Sequence, residues 1–126
     1  MEDKVSIQFL PRGIYITGRG ELTSQDIHKI AFIDHSDERS VDAKFIVSDF
    51  LQATAESILS RDIDKALAID IGASRSTPDL KLAFVANNES TVSCCSYYME
   101  RAHKLNLPWE IQIFSTSEAA LNWCQG

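Results

Sequence analysis

Leu82-Ala83-Phe84-Val85-Ala86, read as "LAFVA", is apolar at every position. Side chains of a strand alternate between two faces, so an unbroken apolar run requires that both faces be covered. That pattern marks a strand in the middle of a sheet with helices on both sides. Upstream of it, "ATAESILSRDIDKALAI" places Ala55, Ile58, Leu59, Ile63, Ala66 and Leu67 at the spacing of an amphipathic helix. Gly72 is placed to end this helix, and "GASRSTPD" reads as a loop punctuated by Pro78. Downstream, the spacing predicts a helix from about Ser90, with Val92, Cys95, Met99 and Ala102 along one side and Pro108 after it. Ile111, Ile113 and Phe114 belong to a last strand. Ser115 to Glu118 fits a capping box, and Ala120, Leu121, Trp123 and Cys124 follow on a short closing helix.

Further upstream, "KFIVSDF" (Lys44 to Phe50) reads as a strand. Thr23 or Ser24 caps a helix with Asp26 near its positive end and Ile27, Ile30, Ala31, Phe32 and Ile33 on its apolar side. This helix is expected to fade in "HSDERSVDA". Val5, Ile7 and Phe9, then Ile14 and Ile16, alternate with period two. They are joined at "LPRG", where Pro11 pre-sets φ and Gly13 is free to take the left-handed conformation. Gly18 and Gly20 are expected to break the second strand. The order is β-β-α-β-α-β-α-β-α. It predicts an α/β fold with a mixed sheet of about five strands, an N-terminal β-hairpin and about four helices. At 126 residues, one domain spanning 1–126 is expected.

The formal net charge of −6 argues against a nucleic-acid partner and against electrostatic adhesion to an anionic bilayer. Cys94, Cys95 and Cys124 are odd in number and lack a framework spacing, which argues against a secreted disulfide scaffold. No apolar run is long enough to span a membrane or to form a signal peptide core. A cytoplasmic location with reduced thiols is the expectation.

The "GELT" turn, the strand ending in "SDF", "KLAFVANN", and the terminal "IQIFSTSEAALNW" together resemble the SpoIIAA-like family of small bacterial proteins, related in fold to STAS domains. The resemblance covers nearly the whole chain and implies a regulatory or interaction module. Relatives in fold are anti-sigma factor antagonists, switched by phosphorylation of a serine in an Asp-Ser-Ser-Gly-like segment after the third strand. That segment reads "SDFLQATAESILS" here, so the phosphosite does not carry over, although Thr54 and Ser57 lie near its place. The same comparison of folds reaches lipid-binding CRAL-TRIO domains.

No residue pattern supplies a catalytic constellation, so no enzyme and no cofactor is expected. Cys94 and Cys95 near a helix start suggest a reactive thiol, but core packing of Cys95 and of Cys124 is the stronger reading. "HSDE" (His35 to Glu38) completes no metal-ligand spacing. "GRGE" is too short for a phosphate loop, and Arg75 in "ASRST" sits in an ordinary loop rather than an anion cradle. Asp49 is expected at the C-terminal end of a parallel strand, the edge where ligands of open α/β sheets bind, or as the cap of a turn. The expected interaction surface comprises Asp49, Phe50, Leu51, Thr54, Ser57, Ile58, Ile69, Ile71 and Arg75. Its expected occupant is a protein partner; a homodimer is a separate expectation, tied to no particular surface. The alternative is a lipid-like ligand or peripheral membrane contact, with the second helix as a movable lid over an apolar groove.

Overall fold

The computed structural model describes residues 4–36 and 42–126, with side chains for all of these but 33–36. Its elements are β1 (Val5–Leu10), β2 (Gly13–Glu21), α1 (Ser24–Ser36), β3 (Phe45–Thr54), α2 (Ser60–Ser74), β4 (Lys81–Val85), α3 (Glu89–Lys104), β5 (Glu110–Phe114) and α4 (Ser117–Gln125). The five strands form one sheet in sequence order, with β1 antiparallel to β2 and every later pair parallel. Consecutive parallel strands joined by crossovers of one hand place α1, α2 and α3 on the same face. The other face is left to α4.

The two faces carry two apolar clusters. Ile14, Ile16, Ile46, Leu82 and Phe84 meet Ile30, Ile63, Leu67, Cys95, Tyr98 and Ala102 beneath the three helices. Phe45, Val47, Ala83 and Val85 meet Ala120, with Phe114, Leu121 and Trp123 half-buried around them. β4 is therefore buried on both sides, as its unbroken apolar run requires. α4 is pinned at its far end by Lys81, whose Nζ donates to Trp123 O (3.0 Å) and lies 5.1 Å from the centre of the Trp123 ring.

Several local expectations are corrected. β3 does not stop at Phe50 but runs to Thr54, so Ala53 to Leu59 is not the first turn of a helix. Ala55, Ile58 and Leu59 share helical spacing with Ile63 only by coincidence, and α2 begins at Ser60. At its other end α2 runs through Gly72 to Ser74, because nothing there imposes a left-handed residue. Gly18 and Gly20 lie inside β2. Thr17 pairs with Asp49 but Arg19 pairs with Gln52, so the extra residue is a bulge on β3 opposite Gly18. In the hairpin the left-handed residue is Arg12 (φ 68°), not Gly13. Gly13 is required for a different reason: a Cβ there would meet the Phe45 ring at 2.1 Å.

The helix caps are also shifted. In α4 the cap is Thr116, whose hydroxyl accepts from Ala119 N–H (3.2 Å), instead of Ser115. α3 starts one residue early on Asn88, and its buried side is Thr91, Cys95, Tyr98 and Ala102. Val92 and Met99 are only half-buried. The cap of α1 is as expected: Thr23 N–H donates to Asp26 and Asp26 N–H to the Thr23 hydroxyl.

Candidate functional site

β2 to β5 run parallel, so the starts of all four helices converge on their carboxyl edge, the edge where open α/β sheets bind ligands. The segment Thr54 to Leu59 crosses that edge between β3 and α2. It carries few apolar anchors, and polar bonds from both sides hold it. On one side the Glu21 carboxylate accepts from the Thr54 hydroxyl and from Ser57 N–H (3.1 Å). The Ser57 hydroxyl donates to Leu22 O at 3.1 Å. On the other side Asn88 donates through its Nδ2 to Ala53 O (2.8 Å), and the Ser90 hydroxyl accepts from Ala55 N–H (3.0 Å). Asn88 also caps α3 by accepting from Thr91 N–H at 3.1 Å. At the start of α2, Leu59 has no acceptor in its side chain, and Asp62 accepts from its N–H (2.9 Å). Leu59 is left 50% exposed.

The Thr54 hydroxyl, followed by Ser57 N–H, holds the Glu21 carboxyl below its ordinary range. The charged form is thus the one the segment is built around.

Asp49 is not at a strand end. It lies mid-strand in β3, although its β4 neighbour Val85 is the last residue of that strand. It is buried on the α4 face, where Oδ2 accepts from the Tyr15 hydroxyl (2.5 Å) and Oδ1 from Leu51 N–H (3.0 Å). Burial first, then the Asp49 carboxylate, pushes the Tyr15 phenol up to about 12, while a bond from Ser117 acts in the opposite sense. This is a closed polar knot at the start of α4. The tyrosine is a fixed donor there, not a base.

The remaining candidates do not form one surface. Phe50 is buried beneath the three helices and Leu51 packs on the opposite face, because successive side chains of a strand alternate between its two sides. Thr54 and Ser57 are exposed at the carboxyl edge, and Ile58 packs half-buried against the main cluster beside them. Ile69 and Ile71 in the second half of α2 and Arg75 just past its end lie roughly 14 to 22 Å from its start at 1.5 Å per helical residue. Ala73 and Ser74 are helical and the Ser74 hydroxyl donates to Ile71 O, so no cradle forms around Arg75.

Burial pushes the Cys94 thiol up and raises Cys95 further, and Cys124 rises to about 11. A raised thiol holds less of the reactive thiolate at neutral pH, which favours packing over a reactive role for these residues. The side chains of "HSDE" lie outside the described residues. Among the described residues no three metal-ligating side chains come together, and no helix is long and apolar enough to cross a membrane.

Between the sheet and the three helices lies a cavity of ≈ 80 Å³, lined by Ser48, Phe50 and Phe84 below and by residues of α1, α2 and α3, among them Ile63 and Asp70 of α2, above. Tyr98 donates to Asp70 at its wall (2.6 Å). Typical ligand pockets run to about 300 Å³ and more. The expected groove under the second helix exists only as this smaller space.

Sequence reasoning missed Glu21, Asn88, Ser90 and Tyr15. Asn88 was legible as a polar residue closing "KLAFVANN" ahead of a helix. Glu21 and Tyr15 act across the sheet on partners more than thirty residues away, and no local pattern marks them.

No protein-family model matches the sequence, and no curated protein does. Among solved structures, the chain is similar to the anti-sigma factor antagonist SpoIIAA in its unphosphorylated form, with a TM-score of 0.61, 13% identity, and coverage of 97% of this chain and 96% of that one. It is also similar to an uncharacterised protein of the DUF3478 family from Shewanella loihica PV-4, with a TM-score of 0.53, 15% identity, and coverage of 95% and 91%. The five-stranded mixed sheet with four helices is a SpoIIAA-like fold, as the chain's "GELT", "SDF", "KLAFVANN" and terminal segments indicate.

Proposed function

We propose that the chain is a non-catalytic regulatory module that binds a protein partner at the carboxyl edge of its sheet, in the cytoplasm. The observation that carries this reading is the segment Thr54 to Leu59, fixed by Glu21, Asn88 and Ser90 while presenting Ser57 and Leu59 to solvent. Ordering a segment in advance removes entropy that binding would otherwise cost. The likeness over nearly the whole chain to an anti-sigma factor antagonist supports the same reading. It rests on fold alone and brings no partner's identity with it.

Leu59 is the anchor to remove. A partner recovered from the native host by the wild-type chain, and lost by Leu59→Asp with its circular dichroism unchanged, is the expected result. A partner retained equally by Leu59→Asp contradicts this surface. Phosphorylation of Ser57 would break its bond to Leu22 O and set a dianion beside Glu21, so it would release the segment. Mass spectrometry of Ser57 from the native host tests that switch.

A second reading has one observation in its favour, the cavity between the sheet and the three helices. Its size suits a small apolar molecule, and a lipid-like ligand would require α2 to move outward. Liposome co-sedimentation and native mass spectrometry test it. Lipid retained by the wild type and lost in a folded Ile58→Asp, Ile71→Asp variant supports it. Absence of bound lipid, with α2 amides as protected from exchange as those of β4, removes it.

A further inference from the structure

β5 ends the sheet. Glu110 N–H donates to Leu80 O (3.0 Å), and Phe114 O accepts from Ala86 N–H (2.9 Å). Residues 110, 112 and 114 therefore bond toward β4. The N–H and C=O groups of Ile111 and Ile113 point outward, with no strand beyond them among the described residues. Exposed edges are ordinarily guarded by lysine, proline or a bulge. Neither edge strand has lysine or proline within it: β1 is flanked directly by Lys4 and Pro11, and "EIQIF" is preceded by Pro108 two residues before it.

The helix above this edge is patterned to match. α3 buries Thr91, Cys95, Tyr98 and Ala102. Toward α2 it presents Tyr97 and Arg101, both bonded to Asp64. The opposite side, which overhangs the β5 edge, carries Glu89, Val92, Ser96, Met99 and His103. Their spacing of three and four residues is the seam of a coiled coil. Val92 and Met99 are half-buried, and the other three are exposed. Below the seam a groove of ≈ 300 Å³ opens along the strand, lined by His103, Leu107, Trp109, Ile111, Gln112 and Trp123.

The geometry points to a second copy of this chain as the occupant of the edge: β5 pairs antiparallel with β5 of the copy about a twofold axis at Gln112, and α3 packs antiparallel on its copy. Ile111 then faces Ile113 of the copy, and the two exchange both outward hydrogen bonds. The seam is self-complementary under the same reversal. Glu89 meets His103, Val92 meets Met99, and Ser96 meets itself. The acidic start of α3 at Glu89 thereby lies against His103 at its basic end, while Arg101 is held by Asp64 and Lys104 by Glu100. Antiparallel helices also oppose their dipoles favourably. This charge match singles out a second copy over an unrelated extended peptide, and an isologous interface of this kind closes after two subunits. The result is a continuous ten-stranded sheet, twice the five strands of one chain.

Sedimentation velocity of the wild-type chain, from micromolar to near-millimolar concentration, is expected to show a species of twice the 14.1 kDa chain mass. Ser96→Lys sets two like charges on the axis at an exposed position. It should weaken dimerisation at least about tenfold without changing helical content. Glu89→Lys should weaken it too, and adding His103→Glu should restore it. Gln112→Cys forms a non-hydrogen-bonded pair across the axis, with Cα atoms about 4.5 Å apart, within disulfide reach. Mild oxidation should link it as a covalent dimer, whereas wild type and Gln8→Cys stay unlinked. A wild-type chain that is monomeric throughout the range overturns the proposal. So does a dimer that Ser96→Lys leaves intact, or one that is linked through Gln8→Cys instead.

Discussion

The Tyr15 hydroxyl donates a 2.5 Å hydrogen bond to Oδ2 of Asp49, diagonally across the β2–β3 ladder. Thr17 is the residue opposite Asp49, so the phenol reaches one pair along the same face. Tyr15→Phe deletes the donor and leaves a buried carboxylate with one bond fewer. The expected cost is about 1.5–3 kcal/mol, the usual range for a hydrogen bond to a charged group, read by urea unfolding.

The same bond sets an alkaline limit. The phenol rises from 10.0 to about 12 in the folded chain, so the unfolded chain loses its proton first. Its contribution is complete below pH 10 and is lost as pH rises toward 12. Stability of the wild type should therefore fall faster than that of Tyr15→Phe across this window. Equal slopes would contradict the assignment.

Two glycines should respond with opposite signs. Gly13→Ala drives a Cβ to 2.1 Å from the Phe45 ring, so the strand or the ring must shift, at about 1–3 kcal/mol. Gly72 lies inside α2 with open space where a Cβ would go. Gly72→Ala should stabilise by about 0.5–1 kcal/mol through helix propensity and a less free unfolded chain. Chemical denaturation of the two variants checks both signs.

The contrast between those glycines also shows what the sequence carried. "LAFVA" and the alternation in β1 and β2 decided layer order, because burial on one or two faces is written in period two. The boundaries of β3 and α2 were not written that way. Ala53 to Leu59 has apolar spacing compatible with a helix, yet β3 continues to Thr54 along β2. Tertiary pairing outweighed local pattern there. The candidate site suffered the same fate. Ser57 and Thr54 were visible as hydroxyls after β3, but their partner Glu21 lies on another strand. Phe50 and Ala53, three residues apart, share one face only because the bulge on β3 shifts the alternation between them, and no local pattern marks that shift.

Glu21 gives the carboxyl edge its own pH response. Its carboxyl lies below the ordinary 4.5, chiefly through the Thr54 hydroxyl. A lowered carboxyl stabilises above its ordinary value and loses that contribution as pH falls through its folded value. The Ser57 amide, which donates to Glu21, should report this in a nuclear magnetic resonance titration. The expected midpoint is below 4.5 in the wild type, with no such titration in Glu21→Gln. A midpoint above 4.5 would contradict the bonding of Glu21 to Thr54 and Ser57.

The thiols should be sluggish. Burial raises all three, and Cys95 is the most enclosed. At neutral pH each should alkylate more slowly than a free cysteine, with Cys95 slowest, because the thiolate is the reacting species. Mass spectrometry of timed iodoacetamide reactions checks the order. Cys94 reacting faster than free cysteine would revive a chemical role for it.

The two tryptophans test whether the chain unfolds as one domain. Trp109 belongs to the cluster beneath α1, α2 and α3, and its Nε1–H donates to Thr77 O at 2.8 Å. Trp123 sits on the other face, against Phe114 and beneath Lys81. The clusters share the strands but few side chains, since each strand residue faces one side only. If the sheet transmits the loss of one face to the other, both tryptophans report the same midpoint and the same urea dependence. Single-tryptophan variants, Trp109→Phe and Trp123→Phe, separate the signals, and the far-ultraviolet circular dichroism of each variant supplies its own reference. In each variant the fluorescence and circular dichroism transitions should coincide. An earlier transition at Trp123 would mean that α4 lifts from the second face before the three-helix side unfolds. α4 has only nine residues and one fully buried side chain, Ala120, with which to resist that. Lys81 ties the end of α4 to β4 through Trp123. Lys81→Met, which keeps the apolar stem but removes the bond to Trp123 O and the charge over its ring, should move the Trp123 midpoint to lower urea more than the Trp109 midpoint.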